Sequence, residues 1–256
     1  MENNVQSCGC SGSGAAETCK CSESFRAMPM LGEDAPAFKA QTTQGEINFP
    51  EDFKGRWVIL FSHPADFTPV CTTEFIKFAA MDDELRGLNC QLIGLSIDGL
   101  SSHIAWLRTI GSEVEFDGIK NISVKFPLID DVSMEVARKY GMLHPKMSGT
   151  KSVRTVFFID PQGKVRTILY YPLSTGRNMD EIKRILIALQ TADACACATP
   201  ADWRPGDDVI DPNPGTMDKI EERLKKGDAG LVVKSWFLVL RKLPLEKLKN
   251  VVKGIK

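Results

Sequence analysis

The chain has no excess of either charge. Its 32 Lys and Arg face 33 Asp and Glu, for a net charge of −1. The two signs are interspersed, so no field exists to steer nucleic acid or an anionic membrane. No apolar stretch approaches the length of a membrane span. The first residues are rich in Cys, Gly and Ser and hold no apolar signal core, so a cytoplasmic rather than an exported protein is expected. Repeats of solenoid length are missing. So is the Cys-x-x-Cys motif of thiol–disulfide carriers. Gly149-Thr150-Lys151-Ser152 has threonine where a phosphate-binding loop requires glycine. Gly94-Leu95-Ser96-Ile97-Asp98 lacks the final glycine of a nucleophile elbow.

A 43% hydrophobic content over 256 residues is enough for a large core. Residues 1–25 are nearly free of apolar side chains and are expected to form a flexible arm. From 26 to 192, strand and helix signals alternate. Trp57–Ser62, Gln91–Ile97, Phe126–Ile129, Val153–Ile159 and Val165–Tyr171 read as strands, the last two joined through Asp160-Pro161-Gln162-Gly163 as a hairpin. Helices are expected over 72–88, after Ser101 with Ile104, Leu107 and Ile110 on one face, over 132–140, and after Asn178, which with Glu181 resembles a capping box. Such alternation ending in a hairpin and helix implies an α/β fold, a three-layer sandwich around a mixed sheet. Pro200, Pro205, Pro212 and Pro214 mark a linker. The segment 193–256 is expected to form a small C-terminal α+β extension, and the apolar residues between Leu231 and Leu240 suit a dimer surface.

The eight cysteines, at positions 8, 10, 19, 21, 71, 90, 195 and 197, do not form the framework of a small secreted scaffold. Cys71 stands apart from the others. It lies at a helix start, reached by a Pro-bearing turn from a buried strand, where unpaired N–H groups and the helix dipole favour a thiolate. Peroxide reduction needs that thiolate, hydrogen bonds to both oxygens and a cation to disperse developing charge. Thr68, three residues earlier, has a hydroxyl that both donates and accepts. Pro64 would wall the pocket. Arg154, within a strand, could be the permanent cation, and Glu74, one turn beyond Cys71, could orient it. Cys90 sits in a strand and reads as core.

The segment from Pro64 through Thr68 to Cys71 matches the Pro-x-x-x-Thr-x-x-Cys motif of peroxiredoxins, and Ser62 to Thr68 resembles the one-cysteine subgroup with a long C-terminal extension. Val153-Arg154-Thr155-Val156-Phe157, Leu169-Tyr170-Tyr171-Pro172, Gly176-Arg177-Asn178 and Pro200-Ala201-Asp202-Trp203 are similar to later landmarks of that family. The resemblance implies a thioredoxin-like fold and a peroxidase that needs no cofactor, with Cys71 as nucleophile. It also implies that Arg177 supports the site, that His63 lines it, that a thiol such as thioredoxin or a small thiol is the reductant, and that dimers assemble into rings. Two-cysteine relatives carry a resolving cysteine where Thr199 stands here. Cys197 and Cys195, two and four residues upstream, are therefore candidates to resolve the Cys71 sulfenic acid. Two rival functions are a thiol–disulfide oxidoreductase and a soft-metal protein using Cys8, Cys10, Cys19 and Cys21.

Overall fold

The computed structural model describes residues 28–226 and 230–255. The four cysteines of the N-terminal arm lie outside them. Two short strands open the fold, β1 (Phe38–Thr42) and β2 (Gly45–Phe49). The apolar runs then form β3 (Trp57–Ser62), β4 (Cys90–Ser96) and β6 (Arg154–Ile159), each buried at every position. With β5 (Leu128–Asp130) and β7 (Val165–Tyr171) they make a seven-stranded sheet in the order β2-β1-β5-β4-β3-β6-β7. The neighbours β3, β4 and β5 run parallel, and every other pairing is antiparallel. This is the mixed sheet expected from the alternation. The β6–β7 hairpin turns where Asp160 Oδ1 accepts the N–H groups of Gln162 and Lys164.

Successive strand side chains face opposite sides. Ile59, Phe61, Leu92 and Phe158 pack against α1 (Pro69–Gly87), α2 (Leu100–Glu113) and α4 (Met179–Cys195). Val58, Leu60, Ile93, Leu95 and Phe157 pack against Tyr140 and α3 (Glu135–Lys139) on the other side. The result is three layers. Asn178 caps α4 as expected, accepting the Glu181 N–H at 3.1 Å. Helix α1 starts earlier than the periodicity suggests, because Pro69 suits a first helical position, where its missing N–H costs nothing.

One helix face differs from expectation. The side of α2 that meets the core carries His103, Trp106 and Ile110, while Ile104 is 44% exposed. Ile110 is buried and Leu107 packs against the core as expected, but apolar spacing selects Ile104 over His103 because a buried histidine does not register as apolar.

The C-terminal extension holds α5 (Met217–Lys226), α6 (Leu245–Val251) and a sheet of β8 (Val209–Ile210), β10 (Leu238–Arg241) and β9 (Leu231–Ser235) in that order. It is not only a surface for a partner. Trp203, Val209, Leu243, Leu248 and Val252 join the same apolar cluster as α1 and α4. Trp236 and Phe237, at the turn of the β9–β10 hairpin, remain 54% exposed each. Because Leu248 is fully buried in that cluster, Leu248→Ala should cost about 2–5 kcal/mol. Urea unfolding measures this, and a loss under about 0.5 kcal/mol, the surface-substitution range, would mean the extension adds nothing to the core.

Candidate active site

Cys71 is the third residue of α1, at the carboxyl end of β3, and has no exposed surface. Its sulfur lies 3.3 Å from Nη1 of Arg154, the first residue of β6. The same Nη1 donates to Glu74 Oε2 at 2.7 Å. Arg154 Nε and Nη2 both donate to the Leu173 carbonyl, which fixes the guanidinium plane. Cys71 and Glu74 are three positions apart, so both face the arginine from one side of the helix.

Glu74 also binds Arg177. Its Oε1 accepts the Arg177 backbone N–H and Nε, and its Oε2 accepts Nη2, at 2.7–2.9 Å. Arg177 Nη1 donates to the carbonyls of Ser62 and Thr155. Its guanidinium lies over the rings of Phe61 and Phe78 at 5.2 and 5.3 Å. Burial alone would raise the Glu74 carboxyl, but Arg177 and Arg154 outweigh it and hold the group below its ordinary value. Two guanidinium groups against one carboxylate leave the buried cluster with a net positive charge beside the sulfur. That arrangement suits an anionic nucleophile and a developing oxyanion.

Pro64 is buried in the loop between β3 and α1. Thr68 closes the loop as the residue before α1, but its hydroxyl does not cap the helix. Instead it donates to the Ala65 carbonyl at 2.9 Å, which leaves its oxygen able to accept. His63 is fully buried, with its ring against Phe75 and Trp106. Burial lowers its pKa against the opposing effect of Asp66, so the ring is neutral. The proton sits on Nε2, which contacts Asp66 Oδ1 at 3.0 Å. Nδ1 is then a bare acceptor, and it has no partner among the described residues.

Sequence reasoning missed Asp66. Its Oδ2 accepts from Ser102 and contacts His103 Nδ1, each at 2.8 Å. Its N–H donates to Asp98 Oδ2, which Ser96 also contacts. His63, Asp66 and Asp98 place ligand atoms within 4.8 Å of one another. Their oxygens are nevertheless already committed to protein donors, so the cluster is a hydrogen-bond knot rather than a metal cage. Apart from His63, three positions away, the groups that contact Asp66 lie more than 30 positions from it, and no local spacing could have signalled them.

The structure joins Cys71, Arg154, Glu74 and Arg177 in one hydrogen-bonded cluster and places His63, Pro64 and Thr68 on the segment that leads from β3 into α1. It does not bring Cys195 and Cys197 to them. Arg177 immediately precedes the cap of α4, and that helix carries Cys195 about 24 Å from its first residue, at a rise of about 1.5 Å per residue. Gln190 near its end bonds the Leu88 carbonyl, at the far end of α1 from Cys71. A disulfide needs Cα atoms about 4.4–6.8 Å apart. Cys71 therefore has no resolving cysteine within reach among the described residues of its own chain. Cys90 is buried and desolvation pushes its thiol well above its ordinary value, as expected of plain core.

The family model for AhpC/TSA matches residues 31–168, and that for the C-terminal domain of 1-Cys peroxiredoxin matches 188–227. A peroxiredoxin of Methanosarcina mazei is 60% identical over 215 residues, covering 84% of this chain and 98% of its own. One of Aquifex aeolicus is 52% identical over 210 residues, covering 78% of this chain and 92% of its own. The solved structure of a yeast mitochondrial 1-Cys peroxiredoxin superposes with TM-score 0.72 at 39% identity, covering 84% of this chain and all of its own. Peroxiredoxin 6 of Arenicola marina gives TM-score 0.71 at 33% identity, over 84% of this chain and 99% of its own. The chain belongs to the AhpC/TSA family and, within it, to the peroxiredoxins, enzymes that reduce peroxides with a thiol.

Proposed function

We propose that Cys71 is the nucleophile of this peroxidase, that Arg154 and Thr68 act on the reacting oxygens, and that Glu74 and Arg177 hold Arg154 in place. The observation that carries this reading is the 3.3 Å contact between the Cys71 sulfur and Arg154 Nη1 inside a sealed, positively charged pocket. The thiolate attacks one peroxide oxygen along the O–O axis. An S–O bond forms, the O–O bond breaks, and Cys71 becomes a sulfenic acid. The leaving oxygen departs as hydroxide or alkoxide and takes a proton to become water or an alcohol. Arg154 disperses the charge on both oxygens, and the Thr68 hydroxyl accepts from the incoming hydroperoxide. Only the O–O bond enters the reaction, so hydrogen peroxide and alkyl hydroperoxides share one mechanism.

Two thiols then return the sulfenic acid to thiol, with release of water and a disulfide. The distance to Cys195 and Cys197 favours a reductant from outside the chain, thioredoxin or a small thiol. The yeast 1-Cys peroxiredoxin has a thiol resolving mechanism via glutathione/thioredoxin systems. We further assign a homodimer through the hairpin that exposes Val233, Trp236 and Phe237. A closed ring of dimers needs a second patch, and exposed Phe67 and Phe116 supply it. No helix among the described residues is long and apolar enough to cross a membrane. Free thiols at all four described cysteines fit a reducing, cytoplasmic setting.

Cys71→Ser should abolish peroxide consumption while Cys90→Ser leaves it nearly intact, and full turnover by the Cys71→Ser protein would overturn the assignment. Removing a preorganised donor of this kind costs about 10²–10³ in rate. Arg154→Met should therefore slow Cys71 oxidation by such a factor in stopped-flow measurements, and an unchanged second-order rate would mean that another cation serves the sulfur. For the dimer, Trp236→Asp with Phe237→Asp should shift sedimentation toward the monomer. An identical association state would place the interface elsewhere.

A further inference from the structure

The loop 63–68 carries Pro64 and Thr68, and two bonds lie within it, His63 to Asp66 and Thr68 to the Ala65 carbonyl. Phe67 is 56% exposed and sits at φ +52°, in the left-handed region that is costly for a bulky residue. The loop is also tied to α2. Asp66 turns inward, and burial would raise its carboxyl, but the hydrogen bonds from His103 and His63 outweigh that and keep it ionised. An ionised carboxylate can only accept, so Nδ1 of His103 donates to it at 2.8 Å. Nε2 of the same ring lies 3.1 Å from the Ile129 carbonyl, which also can only accept. His103 thus spans Asp66 on one side and β5 on the other. Because its acceptor is an ionised carboxylate, the bond to Asp66 is charge-assisted, roughly twice the strength of a neutral one. Through it the loop is fastened to β5, beyond β4.

A second tie lies one turn along α2. Trp106 Nε1 donates to the Thr72 hydroxyl at 3.2 Å, and that hydroxyl donates to the Thr68 carbonyl at 2.8 Å. Ser102 adds its bond to Asp66. One face of α2 therefore grips the chain at residue 66 and at residue 72, on either side of Thr68 and Cys71. An apolar pair of similar volume would anchor a loop at lower desolvation cost than contacts to a buried carboxylate. What the polar contacts supply is direction and register.

We infer that His103 and Trp106, acting through Asp66 and Thr72, are positioning residues of the peroxidase reaction. They form a splint that sets the Thr68 hydroxyl against the Cys71 sulfur, and neither has to touch the peroxide. This rests on the assignment of Thr68 to the reacting oxygens.

A double-substitution cycle tests it, with the second-order rate of Cys71 oxidation by hydrogen peroxide as readout and the melting temperature followed in parallel. His103→Leu removes both ring contacts. His103→Asn keeps a donor toward Asp66, and Trp106→Phe keeps the ring but loses the bond to Thr72. Misplacing a reacting geometry from a distance costs up to about 10²-fold, so His103→Leu should slow the reaction by about 10–100-fold, with His103→Asn recovering most of the loss. In a Thr68→Val background the same substitution should cost less than about 3-fold, because residues acting through one group are not additive. An unchanged rate in His103→Leu, or an equal loss in both backgrounds, overturns the inference. If His103→Leu does not fold, Trp106→Phe runs the same cycle with the same two outcomes. Should Thr68→Val itself leave the rate unchanged, the assignment of Thr68 fails. The splint is then judged on the single substitutions, where a loss restored by His103→Asn supports it and no loss ends it.

Discussion

The Glu74 carboxylate lies between two guanidinium groups, and the rest of the site depends on that contact. Glu74 comes from α1, Arg154 from β6 and Arg177 from the segment leading into α4. Three elements thus converge on one buried ion cluster. Desolvating these charges is expensive, and the cost is offset only because nearly every donor and acceptor is matched, down to the carbonyls of Leu173, Ser62 and Thr155. The surplus positive charge cannot be neutralised from within the cluster. It is available to whatever anion forms at Cys71.

This arrangement sets what the sheet must do. Arg154 enters from the antiparallel partner of β3, and Cys71 enters from the helix that follows β3, so the site forms where those two strands meet α1. A displacement of α4 would move Arg177, and through Glu74 it would move Arg154. The C-terminal extension packs against α1 and α4 on this same side of the sheet. Its apolar residues therefore hold the helices that hold the charges, and the extension belongs mechanically to the domain that carries the site.

Much of this was legible in the sequence where signals are local. The spacing of Pro64, Thr68 and Cys71, the Asn178 cap and the Asp160 turn all involve neighbours within a few residues. The buried strands were legible because they are continuous apolar runs. What could not be read was the polar packing at long range. His103 meets Asp66 from 37 positions away, and Arg177 meets Glu74 from 103. The apolar periodicity of α2 placed Leu107 and Ile110 on the core side, but it also placed Ile104 there and passed over the buried His103. Cys195 and Cys197 illustrate the converse. Proximity to a family position in sequence suggests a role in resolution, and the rigid length of α4 keeps Cys195 away from Cys71 within one chain.

The sealed sulfur of Cys71 sorts reactants by size. The Cys71 side chain offers no surface even to water, so every reactant waits for the segment around it to open. A hydroperoxide needs a small opening and a protein thiol a much wider one, and local openings in native proteins range from nearly free to as costly as global unfolding. With Cys71 as the proposed nucleophile, the firmness of the α2 grip on that segment would set how long the oxidised form persists. A tightly held pocket would then keep a record of past exposure after the peroxide is gone.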